Sequence, residues 1–239
     1  MIPQWQKGIV KKIVSESPNT RRYFLELPEW EHFLFEPGQY ITLDLPIHER
    51  RNKRWRSYSI ASMPDGGNQI ELIIVQAVNG VGTTYLFDEI KEGSELTLRG
   101  PSGTFVLPKD IADKDLFFIC TGTGIAPFRS MLQYIHHHQL PHQHIHLVFG
   151  CRQQEDLLYY DEMSALEKSW KNFHYHPTLS RENWSGHTGY VHEVYEALCT
   201  ERQPAVFLLC GWRKMVDEAM ERIIAMGYEQ KDVLHELYG

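Results

Sequence analysis

Cysteine is scarce and scattered in this 239-residue chain, which has only Cys120, Cys151, Cys199 and Cys210. None stands in a C-x-x-C pair or a run of iron–sulfur ligands, so neither a zinc ribbon nor a built-in cluster is encoded. Long apolar runs are missing too. No stretch approaches the roughly 20 residues that span a bilayer, and Met1-Ile2-Pro3-Gln4 opens no signal peptide, so the expected location is cytoplasmic. Positive charge is in deficit: 24 Lys and Arg stand against 31 Asp and Glu, a formal net charge of −7 that argues against a general nucleic-acid binder. No internal repeat is evident. The content, 42% hydrophobic and 23% charged, is that of a globular protein with one large domain or two ordinary ones.

The charge deficit reverses in one place. Arg50, Arg51, Lys53, Arg54 and Arg56 crowd a single loop, which suits an acidic partner or a phosphate and equally a plain solvated segment. The loop runs into Arg56-Ser57-Tyr58-Ser59, where an antiparallel strand is expected to begin. Arg56 offers a planar charged fork suited to phosphate, Tyr58 a flat aromatic face, and Ser59 a hydroxyl able to meet a ring nitrogen. Together they could hold a flat ring with a phosphate tail; a strand with one exposed Arg and alternating Tyr and Ser is the plainer reading.

Residues 1–105 read as β structure. Gly8 to Val14 and Arg22 to Leu27 are β-branched or aromatic runs split by Ser17-Pro18-Asn19. Pro37-Gly38 turns the chain into the alternating run Gln39 to Leu45, and Asp65-Gly66-Gly67-Asn68 joins the strand after Arg56 to Gln69–Val75. Glu95 to Arg99 completes six closely spaced strands, the signature of a small antiparallel barrel. Between the last two, Gly80-Val81-Gly82-Thr83 opens a short helix; it fits either an anion site or an ordinary turn and N-cap.

Past about residue 110 the pattern changes. Leu116 to Cys120 is a continuous apolar run of the kind buried in parallel sheets, and β and α stretches then alternate to the last helix, Lys214 to Met226, and a short tail. The boundary is placed near Leu107-Pro108-Lys109, giving domains 1–108 and 109–239. His136, His137, His138, His142, His144 and His146 cluster about a helix end, without the carboxylate or Cys partners a metal site calls for.

The second domain's first turn is Thr121-Gly122-Thr123-Gly124-Ile125-Ala126-Pro127, after a buried strand and before a helix, as a dinucleotide phosphate site requires. Pro127 replaces the third glycine of G-x-G-x-x-G, and Gly150-Cys151-Arg152 stands where the next strand should end in an acid. A standard Rossmann dehydrogenase is therefore disfavoured. Taken with Arg56-Ser57-Tyr58-Ser59, these departures make the chain resemble, over essentially its whole length, the ferredoxin–NADP⁺ reductase family. The resemblance implies a six-stranded antiparallel FAD-binding β-barrel followed by an α/β domain whose parallel sheet binds NAD(P).

By this resemblance Arg56 holds the FAD pyrophosphate, Tyr58 packs on the isoalloxazine and Ser59 faces flavin N5. Gly80, Gly82 and Thr83 match the second pyrophosphate segment, with Thr where Ser is usual. Thr121, Gly122, Thr123, Gly124 and Pro127 match the coenzyme pyrophosphate turn. Cys210 and Gly211, followed by Met215-Val216, match the segment that sets a Cys beside nicotinamide C4. Glu236 supports the nicotinamide and Tyr238 shields the flavin; this chain departs by one extra residue, Gly239. Arg152 belongs to the coenzyme-binding set. Ser180 and Arg181 stand where NADH-using relatives carry an acid, and Tyr190 where adenine stacks, so NADPH is the expected coenzyme. The expected function is an FAD-dependent reductase passing electrons from NADPH to a separate ferredoxin or flavodoxin that docks at Arg50, Arg51, Lys53 and Arg54. The alternatives are an NADH-dependent reductase component of a multi-chain oxygenase and a non-redox module on the same fold.

Overall fold

The computed structural model describes residues 4–238; the opening Met1-Ile2-Pro3 and the extra Gly239 lie outside them. The chain divides into two compact units, Met1–Leu107 with Ala126–Tyr134 and Pro108–Ile125 with Ile135–Gly239.

The first unit is one six-stranded antiparallel sheet. Its strands are β1 (Gln6–Ser17), β2 (Thr20–Glu26), β3 (Tyr40–Asp44), β4 (Trp55–Ser59), β5 (Gln69–Val75) and β6 (Glu95–Ser102), in the order β4-β3-β6-β1-β2-β5. A bridge from Ile60 to Leu72 joins the two ends. Alternating side chains fill the interior, among them Tyr23, Leu25, Ile41, Leu43 and Leu98, each at most 1% exposed. Helix α1 (Val81–Asp88) is too short to persist alone. Strand β2 secures its C-terminal end, where the Tyr23 hydroxyl donates to the Leu86 carbonyl (3.0 Å) and Arg21 to that of Phe87 (2.8 Å). Arg21 supplies there the cation that the helix's own last turn lacks.

The second unit is a parallel sheet built from β7 (Asp115–Thr121), β8 (Ile145–Cys151), β9 (Phe173–Leu179), β10 (His187–Thr188), β11 (Ala205–Trp212) and β12 (Val233–Tyr238). They lie in the order β10-β9-β8-β7-β11-β12. Helix α2 (Ile125–His138), between β7 and β8 in the chain, has its Ala126–Tyr134 stretch in the first unit, while α3 (Tyr160–Ser169), α4 (Val191–Leu198) and α5 (Arg213–Ala225) lie between strands. Leu116 to Cys120 are all fully buried, as a strand covered on both faces demands. The expected short tail is itself a strand: β12 pairs with β11 from Phe207↔Val233 to Trp212↔Tyr238.

The histidines part company in the structure. His136 and His142 each meet the edge of Trp170. His144 and His146 instead join His174, His176 and His187 from the neighbouring strands in a column of rings. Its hydrogen bonds are His144 Nδ1 to His174 Nε2 and His146 Nδ1 to His176 Nε2, both 3.2 Å. Phe117 stacks on His146 at 4.7 Å, and His187 closes the column on His176 at 5.7 Å. Among the described residues no group of three or more His, Cys, Asp and Glu is placed to hold a metal ion.

Two members of this column, His146 and His176, are held neutral. Burial, then the charge of His174, brings His146 down to about 4 despite the opposing pull of Asp115. Burial, then His146 and His187, brings His176 to about 3. The unfolded chain, with imidazoles near 6.5, therefore binds more protons over this range. Stability is full above pH about 6.5 and is lost as the pH falls toward 4. Thermal melts across that range are expected to show a falling Tm in the wild type and a flatter profile in His146→Phe; identical profiles would show that the column does not control acid lability.

Candidate flavin and coenzyme sites

In the first unit, β4 carries Arg56, Tyr58 and Ser59 opposite Leu43, Ile41 and Tyr40 of β3. Arg56 Nη1 donates to the carbonyls of Trp55 (2.8 Å) and Lys53 (3.2 Å), which fixes the guanidinium while leaving its other N–H groups for an anion. Gly82 lies against it: a Cβ there would sit 3.0 Å from Arg56 Nε. The α1 N-terminus has Gly80 as N-cap with no side-chain cap, and the first helical bond runs from Thr84 N–H to Gly80 O (2.8 Å). The backbone N–H groups of Val81, Gly82 and Thr83 thus have no partner within the helix. The Thr83 hydroxyl is spent in the turn itself, donating to Gly80 O (3.0 Å) and accepting from Ala77 N–H (3.1 Å). What Thr83 can offer a phosphate is its backbone N–H. Tyr58 packs half-buried on the barrel core, and burial pushes its phenol up, so it acts as a neutral aromatic face.

In the second unit, β7 ends at Thr121 and the chain turns through Gly122-Thr123-Gly124 into α2. Gly122 adopts φ +54°, which glycine takes at no cost, and a Cβ there would meet nothing within 4 Å, leaving open space above the turn. Gly124 is needed for another reason: a Cβ would strike the carbonyl oxygen of Cys210. Gly211, at φ +140°, likewise leaves no room for a side chain beside Thr121 Oγ1. Pro127 is the third residue of α2, in the turn where an N–H would have no helical partner, so the departure from the dinucleotide pattern costs no hydrogen bond.

Register brings the remaining predicted residues together. Cys210 pairs with Glu236 on β12 and with Cys120 on β7. Burial pushes the Cys210 thiol well up, the Glu236 carboxylate and Cys120 add to this, and a hydrogen bond with Tyr238 opposes it. Cys210 is therefore a neutral thiol and not a nucleophile. Tyr238, which pairs with Trp212, lies against it. Sequence reading passed over Trp212, an indole 70% exposed at the end of β11; its backbone N–H donates to Thr121 Oγ1 (3.4 Å). Its only signal was a large aromatic at one of the three positions between Gly211 and Met215.

Exposed Arg152 and Arg181 extend from the ends of neighbouring strands, tied by Arg181 N–H to Arg152 O (2.9 Å). Ser180 donates its hydroxyl to Cys151 O (3.1 Å), so cations, not this hydroxyl, are left to meet an anion. The neighbouring Glu182 is engaged by the backbone N–H of Gln154 (2.8 Å). Tyr190, the N-cap of α4, is 68% exposed, its ring free to stack.

Comparison with known proteins agrees with this geometry. The family described as "Oxidoreductase FAD-binding domain" matches residues 7–107, and "Oxidoreductase NAD-binding domain" matches 118–221. Ferredoxin–NADP reductase B of Sorangium cellulosum is 36% identical over 232 residues, covering 93% of each chain. The chain belongs to the ferredoxin–NADP⁺ reductase-like family. It is thus an FAD- and NAD(P)-dependent flavin oxidoreductase. The anthranilate 1,2-dioxygenase electron transfer component of Acinetobacter baylyi is 34% identical over 186 residues, but this reductase matches only 52% of that protein's length. In fold it is similar to a ferredoxin NADP⁺ reductase from Neisseria gonorrhoeae with bound FAD and NADP, at TM-score 0.83, 24% identity and 98% coverage of both chains. The donors beside Gly82, the Arg56 guanidinium and the backbone N–H groups of the uncapped α1 N-terminus, are of the kind a pyrophosphate such as that of the family's cofactor calls for. Among the described residues no helix is long and apolar enough to cross a membrane.

Proposed function

We propose that this reductase takes a hydride from NADPH and delivers electrons singly to a separate acidic carrier, a ferredoxin or flavodoxin. FAD supplies the redox chemistry, since no side chain accepts two electrons and releases them one at a time. Arg56 and the α1 N-terminus would hold its pyrophosphate, Tyr58 its ring system, and Ser59 would meet N5. Cys210 and Glu236 would meet the nicotinamide, with Thr121-Gly122-Thr123-Gly124 beneath the coenzyme phosphates.

The observation carrying the NADPH reading is the Arg152–Arg181 pair, with the adjacent carboxylate of Glu182 turned to Gln154. A 2′-phosphate calls for cations, whereas a bare ribose is usually met by an acid. The oxygenase-component relative favours the competing reading of an NADH-dependent reductase component. Anaerobic flavin reduction by NADPH against NADH, followed by oxidised ferredoxin or flavodoxin, decides: faster reduction by NADH and no transfer to either carrier would reject the proposal. The protein is expected to purify yellow, with FAD released on denaturation. Arg56→Ala should weaken FAD retention by roughly 1.5–3 kcal/mol, the worth of one charge-assisted contact, read as a shift in the FAD dissociation constant.

The basic loop is less free than its composition implies. Asp44 holds Arg54 (2.7 Å) and Arg51 (3.3 Å), which leaves Arg50 and Lys53, of the four cations expected to dock the carrier, without ion pairs among the described residues. Reversing Arg50 and Lys53 to Glu is therefore expected to slow carrier reduction, most at low salt, because the Debye length over which exposed charges act is about 10 Å at 0.1 M and grows as salt falls. Flavin reduction by NADPH should not change. Carrier reduction indifferent to both salt and the reversal would leave the loop merely solvated.

A further inference from the structure

We infer that Arg129 is a positioning residue for the flavin strand, fixing the end of β4 that presents Ser59 by holding the Ala61 carbonyl. The inference rests on the flavin-binding role of the first unit and not on the choice of coenzyme or carrier.

Arg129 lies in the Ala126–Tyr134 stretch that belongs to the first unit, and it is only 7% exposed. Its Nη1 donates to Ala61 O (2.8 Å) and to Glu71 Oε2 (3.1 Å). Glu71, itself 4% exposed, already has a two-pronged partner in Arg22, at 2.6 Å from Nε and 3.2 Å from Nη2. Arg22 reaches Glu16 as well (3.4 Å), so Glu71 keeps a cation partner whether or not Arg129 is present. A buried carboxylate so well supplied does not need a second arginine for its charge. Beyond that carboxylate, Arg129 holds the Ala61 carbonyl.

That bond sits on a weak seam. β4 is the end strand of its sheet, and it meets β5 through a single bridge at Ile60↔Leu72. Around the bridge, Ile60 N–H donates to Gln39 O (3.0 Å), Ala61 N–H to Glu71 O (2.8 Å), and Glu71 N–H to Ser62 Oγ (3.0 Å). Ala61 is fully buried, so its carbonyl is closed to water and takes its hydrogen bond from Arg129. Ser59 is two residues upstream, and a misplacement of about 1 Å at a reacting group is felt in the rate. Lysine is expected to reproduce this hold only in part, because its shorter stem has to bring one ammonium to the place that Nη1 reaches at the end of a longer guanidinium.

The test uses the FAD-loaded full chain with Arg129→Met, Arg129→Lys and Glu71→Gln. The readouts are the FAD dissociation constant, the position of the flavin visible bands and the Tm. Arg129→Met is expected to raise the FAD dissociation constant about tenfold, as loss of one charge-assisted hydrogen bond would, and to shift the bands. Arg129→Lys should raise it about threefold. Glu71→Gln should lower the Tm yet leave FAD affinity and bands within about twofold of wild type, because the Ala61 bond survives. Equal affinity losses in Arg129→Met and Glu71→Gln, or a Tm change alone in Arg129→Met, would overturn the assignment. If Arg129→Met does not fold, Arg129→Lys decides, and wild-type affinity and bands in that variant reject it.

Discussion

Arg181→Ala is expected to weaken NADPH use by about one to two decades while leaving NADH use nearly unchanged. A charge-assisted contact is worth roughly 1.5–3 kcal/mol, and each 1.4 kcal/mol is tenfold in binding. The side chain is exposed, so water competes for it and keeps the effect from exceeding that range. The backbone bond from Arg181 N–H to Arg152 O survives the substitution, so the strand ends keep their places. Arg181→Lys should recover part of the NADPH preference, since the charge returns without the fork. Steady-state kcat/KM with both coenzymes checks this. An equal loss with NADPH and NADH would show that Arg181 is structural, and Arg152→Ala then tests whether its neighbour carries the phosphate alone.

Removing Tyr238 and Gly239 is expected to tighten NADP⁺ binding severalfold and to lower turnover. By the proposed reading the Tyr238 ring shields the flavin face that the nicotinamide must occupy, so the coenzyme would gain that face only by displacing it; in the structure Tyr238 hydrogen-bonds with the Cys210 thiol. An aromatic contact beyond simple burial is worth about 0.5–1.5 kcal/mol, or about two- to twelvefold in affinity. With the ring gone, that amount no longer opposes binding, product stays longer, and release limits the rate. The ladder from Phe207↔Val233 to Gly211↔Leu237 remains, so the edge of the sheet keeps its shape. Titrating NADP⁺ into the truncated protein while following the flavin spectrum gives the result. Unchanged affinity with a lowered Tm would mean that the tail only packs the sheet edge.

Local sequence by itself determined the two architectures. Alternation in Gln39 to Leu45 reads as an antiparallel strand with one apolar face, and the unbroken run Leu116 to Cys120 as a strand of a parallel sheet, because side chains point to opposite faces every second residue. It also marked the glycines at the starts of α1 and α2, since a glycine beside a helix start is a local feature. The tertiary structure alone decided what these groups can do. That the Thr83 hydroxyl is spent on Gly80 and Ala77, that Asp44 ties Arg51 and Arg54, and that Ser180 donates to Cys151 each depend on a partner chosen by the folded chain. The pairing of Cys210 with Glu236 joins strands whose register no periodicity specifies, and it turned an apparent tail into β12. The same holds for the histidine column and for Arg129 at Ala61, whose members lie far apart in the chain. Composition and spacing record what a residue can offer; which offers are already taken is set by packing, because a donor or acceptor has few bonds to give and burial makes each one count.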